Sequence, residues 1–89
     1  MEERKITQAQ IESYHQHLIR EEKSTATVEK YLRDARAFLS FLGNQMISKE
    51  VVIAYKKELQ IQEYAVRSIN SMLASLNSLL DFLGWSDCK

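Results

Sequence analysis

The residues of this chain that could do chemistry are few, and their spacing decides most of what they can do. His15 and His17 are two positions apart. On a helix they face different directions and cannot share a metal as an i, i+4 pair would. Cys88 is the single cysteine and has no histidine near it in sequence, so neither an internal disulfide nor an activated thiolate is expected, and a reducing compartment suits it. The carboxylates are interspersed with Lys and Arg, the pattern of solvated helix faces rather than of a paired acid and base. Only two glycines occur, Gly43 and Gly84, too far apart to form a loop around a phosphate. These residues predict no enzyme active site, no metal and no cofactor.

Charge is the remaining lead. Twelve Lys and Arg balance twelve Asp and Glu, so composition alone does not indicate a polyanionic partner. Locally, Lys23, Lys30, Arg33 and Arg36 stand against Glu29 and Asp34. A solvated helix face with Arg33 paired to Glu29 at i+4 spacing is the plain reading of that cluster. Tyr64 sits in a predicted turn, where spacing leaves open whether it is packed or meets a ligand.

The elements that must position these residues are helical. There is no proline, and each glycine follows a Phe-Leu pair that closes an amphipathic run, the place where a helix needs a residue tolerant of positive φ. Val28, Tyr31, Leu32, Ala35, Phe38, Leu39 and Leu42 form one stripe, and Ile69, Met72, Leu73, Leu76, Leu79, Leu80 and Leu83 repeat it 41 positions later. Both follow the spacing of a single helix face. The chain therefore reads as one all-α domain over 1–89, a compact four-helix bundle with helices at about 8–22, 25–42, 49–59 and 65–83. Thr7, Ser24 and Ser48 are the expected caps. Ile11, Tyr14, Leu18 and Ile19 are expected to face inward from the first helix, and Leu32, Leu39, Leu73, Leu76 and Leu80 to be largely buried. Ser86–Lys89 reads as a loose end. No stretch has the roughly 20 apolar residues of a membrane span, and the charged N-terminus is no export signal, so the expected location is cytoplasmic.

Within this frame, Ser24-Thr-Ala-Thr27 followed by Tyr31, Arg33-Asp34, Phe38 and Phe41-Leu42 resembles the S-x-x-T-x-x-x-Y-x-x-D-L-x-x-F-x-x-F-L signature of the core-binding domain of tyrosine recombinases, the phage-integrase family. Ala35 replaces the usual leucine. Ser68-Ile-Asn70 with Leu73, Leu76 and Phe82-Leu83 is similar to that domain's other long helix. The resemblance spans about Thr7 to Trp85. It implies a SAM-like bundle that forms half of a clamp on double-stranded DNA, with the starts of helices 2 and 4 facing the duplex. Strand exchange would belong to a catalytic domain absent from this chain, and other recombinase protomers would be partners of the full-length protein; the fragment alone would be a monomer.

Carried onto this sequence, the DNA-binding residues would be Lys23, Ser24, Thr25, Thr27, Lys30 and Arg33 on helix 2, and Tyr64, Arg67, Ser68 and Ser71 at helix 4. Hydroxyls and cations at a helix start suit phosphate oxygens. Helix 4 is the weaker of the two: Ser71, Asn77 and Ser78 stand where the family often has Arg or Lys, and neutral side chains release few counterions. Lys30 and Arg33 are expected to point away from the leucine stripe. The alternative from another class is a non-catalytic protein–protein interaction module that uses the same polar faces.

Overall fold

A computed structural model describes residues 4–89. They form four α-helices, α1 (Gln8–Arg20), α2 (Thr25–Leu42), α3 (Lys49–Ile61) and α4 (Val66–Phe82), then a 3-10 turn at Ser86–Cys88; there is no strand among the described residues. The architecture is the expected all-α SAM-like bundle.

Local chemistry sets each boundary. Thr7 and Gln10 make a reciprocal capping box, with Thr7 Oγ1 accepting from the Gln10 N–H and Gln10 Oε1 from the Thr7 N–H. Ser24 and Ser48 accept from the N–H groups of Thr27 and Val51. The first helix stops at Arg20, short of the expected Glu22, because Glu22 turns to φ 58°. The third runs two residues past the expected Leu59, to Ile61, and ends when Glu63 makes the same turn at φ 62°.

Gly43 ends α2 with φ 60° and ψ −127°, and a Cβ built there would meet nothing within 4 Å. The requirement for glycine is therefore torsional rather than steric against neighbours. Gly43→Val should cost about 1–2 kcal/mol, read as a lower urea midpoint at unchanged m-value; an unshifted midpoint would show that α2 does not need this stop.

The 41-residue repeat extends beyond the two long helices. α1 and α3 are both 13 residues long and begin 41 positions apart. Their inward residues correspond as well: Ile11 with Val52, Tyr14 with Tyr55 and Leu18 with Leu59, all buried. The fold is thus two copies of a helical hairpin, α1–α2 and α3–α4. The copies interlock reciprocally. Phe41 of the first lies 5.1 Å from the Tyr55 ring of the second, and the corresponding Phe82 of the second lies 5.5 Å from Tyr14 of the first. Phe38 packs among the residues of the second hairpin and its counterpart Leu79 among those of the first. Exchange of equivalent contacts is what a twofold axis produces, and α2 and α4 cross at that axis as the most extensive helix contact.

Three expectations about the core are corrected. Ile19 is half exposed, because it lies about 100° round the helix from Leu18 and falls off the stripe. Leu32, Leu76 and Leu80 are buried, but Leu39 and Leu73 are only partly so. Buried Ser75 shares the α2 crossing, which leaves Leu73 on the flank of α4's inward face. Cys88 belongs to no loose end. It is 2% exposed within the second hairpin's core, and the Trp85 N–H donates to the Leu80 carbonyl to start the turn that carries it. Arg4 closes this region, with Nη1 at 2.8 Å from both Asp87 carboxylate oxygens and its guanidinium 5.9 Å from the Trp85 ring. That hydrogen bond from Arg4 holds the Asp87 carboxyl below its ordinary range.

Candidate functional site

Residues of α2, of α4 and of the α3–α4 turn come together around one groove. The groove, of about 520 Å³, is lined by Lys30, Arg33, Asp34 and Ala37 from α2, by Tyr64 from the turn, and by Arg67, Ser68, Ser71 and Met72 from α4. Three cations face one carboxylate there. Arg33, Tyr64, Arg67 and Ser68 are exposed, and neither arginine has a carboxylate partner among the described residues. α4 also starts without a side-chain cap, because Ala65 stands where α2 has Ser24. Its first N–H groups, beside Arg67 and Ser68, therefore add positive potential at the groove's edge.

Six of the ten residues expected to meet a ligand converge here: Lys30, Arg33, Tyr64, Arg67, Ser68 and Ser71. The other four do not join them. Lys23 and Thr25 line a separate groove of about 440 Å³ between α1 and α2, with His15, Glu29 and Arg36. Ser24 and Thr27 satisfy one another: the Ser24 hydroxyl donates to Thr27 Oγ1 at 2.9 Å and accepts from the Thr27 N–H at 3.2 Å. Lys23 Nζ sits 5.9 Å from the centre of the Tyr31 ring, at the same distance as Lys30 Nζ.

Lys30 departs most from expectation. Its side chain does not point into solvent but crosses from α2 to α4, with Nζ donating to Asp34 Oδ2 at 2.6 Å, to Ser75 Oγ at 3.2 Å and to the Ser71 carbonyl at 3.4 Å. The Ser75 hydroxyl donates to the same Asp34 oxygen at 2.8 Å. Among the described residues, Asp34 and Ser75 are the two buried polar ones. The ion pair on this face is accordingly Lys30 with Asp34, and no Arg33–Glu29 pair forms among the described residues. Reading for charge counted Asp34 only as one carboxylate of the cluster and did not pick out Ser75. The signal was present, since Lys30 and Asp34 are an i, i+4 pair, and the 41-residue repeat sets Ser71 opposite Lys30 and Ser75 opposite Asp34.

The His17 ring lies 4.9 Å from the Phe82 ring at a tilt of 35°, and 6.5 Å from the Tyr14 ring. The Tyr14 hydroxyl donates to Ser78 Oγ at 3.0 Å, and burial raises the pKa of that phenol. The described residues include no group of three or more His, Cys, Asp or Glu that could hold a metal ion, and no helix long and apolar enough to cross a membrane.

No curated protein and no solved structure matches the chain. The family model for the phage integrase N-terminal SAM-like domain matches residues 11–87, which takes in all of the four helices but the first three residues of α1, the crossing of α2 with α4 and the whole lining of the groove. A match over that much of the chain, on an all-α bundle of four helices, places it: the chain belongs to the phage integrase N-terminal SAM-like domain family.

Proposed function

We propose that this domain is the non-catalytic core-binding module of a site-specific tyrosine recombinase, and that it holds duplex DNA through the groove between α2 and α4 while a catalytic domain outside this chain exchanges strands. The protein would work in the cytoplasm, with other protomers of the full-length recombinase on the same DNA. The observation that carries this reading is the convergence of Arg33 and Arg67, from two helices, on one groove beside Ser68 and Tyr64. Paired guanidinium groups suit phosphate oxygens or a guanine edge, and Tyr64, 44% exposed, can pack against a sugar or base.

The cations available to phosphate are Arg33, Arg67 and, at the start of α2, Lys23. Three contacts predict a log–log salt slope of about −3, with Kd in the non-specific range of about 10⁻⁴ to 10⁻⁶ M. In an NMR titration with a short duplex at low salt, amides of residues 64–71 and of 30–34 should move first. Shifts confined to α1 and α3, or none at low salt, would defeat the assignment. One observation favours the interaction-module alternative: Ile61 and Val66, either side of the α3–α4 turn, are each 74% exposed. Concentration-dependent self-association that moved these two residues, in a chain that ignored DNA, would select that reading instead.

A further inference from the structure

We infer that Lys30 is a positioning residue and not one of the groove's ligand contacts: with Asp34 and Ser75 it forms a strut between α2 and α4 that sets Arg33 and Arg67 at their separation across the groove. The ammonium has three protons, and three acceptors take them: Asp34 Oδ2, Ser75 Oγ and the Ser71 carbonyl. The carboxylate it serves is 7% exposed and its hydroxyl partner 1%. A phosphate that drew Lys30 away would leave Asp34 buried with only Ser75 to satisfy it, a costly state for a carboxylate. The same phosphate would also approach that carboxylate from the groove side, since Asp34 is part of the lining.

The strut's ends lie beside the arginines. Arg33 adjoins Asp34 in the chain, and Arg67 lies one helical turn before Ser71. A change in the distance between Lys30 and Ser71 is therefore passed through rigid helix to both guanidinium groups. The positioning of DNA contacts rests on the proposed function; the existence of the strut does not.

The test uses Lys30→Met, Asp34→Leu and the double variant, in which Ser75 can still donate to the Ser71 carbonyl, 3.3 Å away. Lys30→Met alone should lower the melting temperature by about 5 °C or more, because it strands a buried carboxylate. The double variant should recover most of that loss, since an apolar pair replaces both partners. A Lys30→Met protein that melts like wild type would overturn the strut. Binding of a short duplex then separates the roles. The double variant should keep the wild-type salt slope but bind several-fold more weakly. A slope shallower by about one would mean that Lys30 neutralises a phosphate itself, and wild-type affinity would mean that the strut holds helices but positions nothing; either overturns the inference. If the wild-type chain binds no duplex at all, the proposed function fails, and the melting comparison alone decides whether the strut exists.

Discussion

Replacing Phe38 with alanine should remove a large share of the domain's stability. The ring is fully buried, extends from α2 into the core of the second hairpin, and meets Tyr55 edge-on at 5.0 Å between centroids. Truncation loses the transfer energy of the ring, the aromatic contact and the packing of the walls left behind, about 3–5 kcal/mol together. A domain of 89 residues has a total stability of only about 4–13 kcal/mol. Position along the stripe matters as much as residue type: Leu73→Ala, on the flank of α4, should cost under about 2 kcal/mol because its side chain already meets solvent. Chemical denaturation of the two variants side by side would test the assignment. If Leu73→Ala proved the more damaging, the inward face of α4 would be rotated from the one described.

Reversing both groove arginines, Arg33→Glu with Arg67→Glu, should abolish duplex binding while leaving the fold as stable as before. Each guanidinium is exposed and without a carboxylate partner among the described residues, so the bundle loses no internal contact, and surface changes of this kind stay within about 0.5 kcal/mol. A charge-assisted contact to DNA contributes about 1.5–3 kcal/mol. Losing two amounts to about 3–6 kcal/mol, more than a hundredfold in affinity, before the new repulsion is counted. From a starting Kd near 10⁻⁵ M, within the range expected for non-specific contacts, binding should pass out of reach of a titration. An unchanged melting curve with undiminished amide shifts would remove the groove from consideration and send attention to the Lys23 side of α2.

How much of this was legible in the chain depended on how locally each feature is specified. The long helices, the Ser24 and Ser48 caps and the Gly43 stop follow from periodicity and backbone chemistry within a few residues, so the sequence states them directly. The repeat of α1 in α3 was harder to see, since only Tyr and Leu are kept at equivalent places (Tyr14 with Tyr55, Leu18 with Leu59) while the polar residues between them diverge. Ile19 misled because an apolar residue one step off a stripe looks the same in sequence as one on it. Lys30 misled for a different reason. A lysine on a polar helix face is ordinarily solvated, and only the crossing of two helices at equivalent positions brings Asp34 and Ser75 beneath it. Cys88 could not be placed either, because its burial depends on a turn that Trp85 anchors from the far end of α4. The groove was half legible, and for the same cause: its residues were named individually, but which of them share a cavity is a property of the angle between two helices.

Under the proposed function, the interlocked hairpins bear on the direction in which this domain would sit on a double helix. A surface that repeated faithfully about the axis through α2 and α4 would look the same after a half-turn. Duplex DNA has dyads of its own along the backbone, so the two would fit together in opposite orientations with equal energy. Here the equivalence fails at the positions that carry the groove's charge, since the counterpart of Arg33 is Ala74, that of Arg67 is Ala26, and Tyr64 is answered by Lys23. Each copy of the hairpin supplies one arginine where the other has a methyl group, and both arginines fall on the same side of the axis. The interior keeps its near-symmetry and the exterior gives it up, which on the proposed duplex would turn a two-way fit into a polar one and give the domain a heading along the double helix.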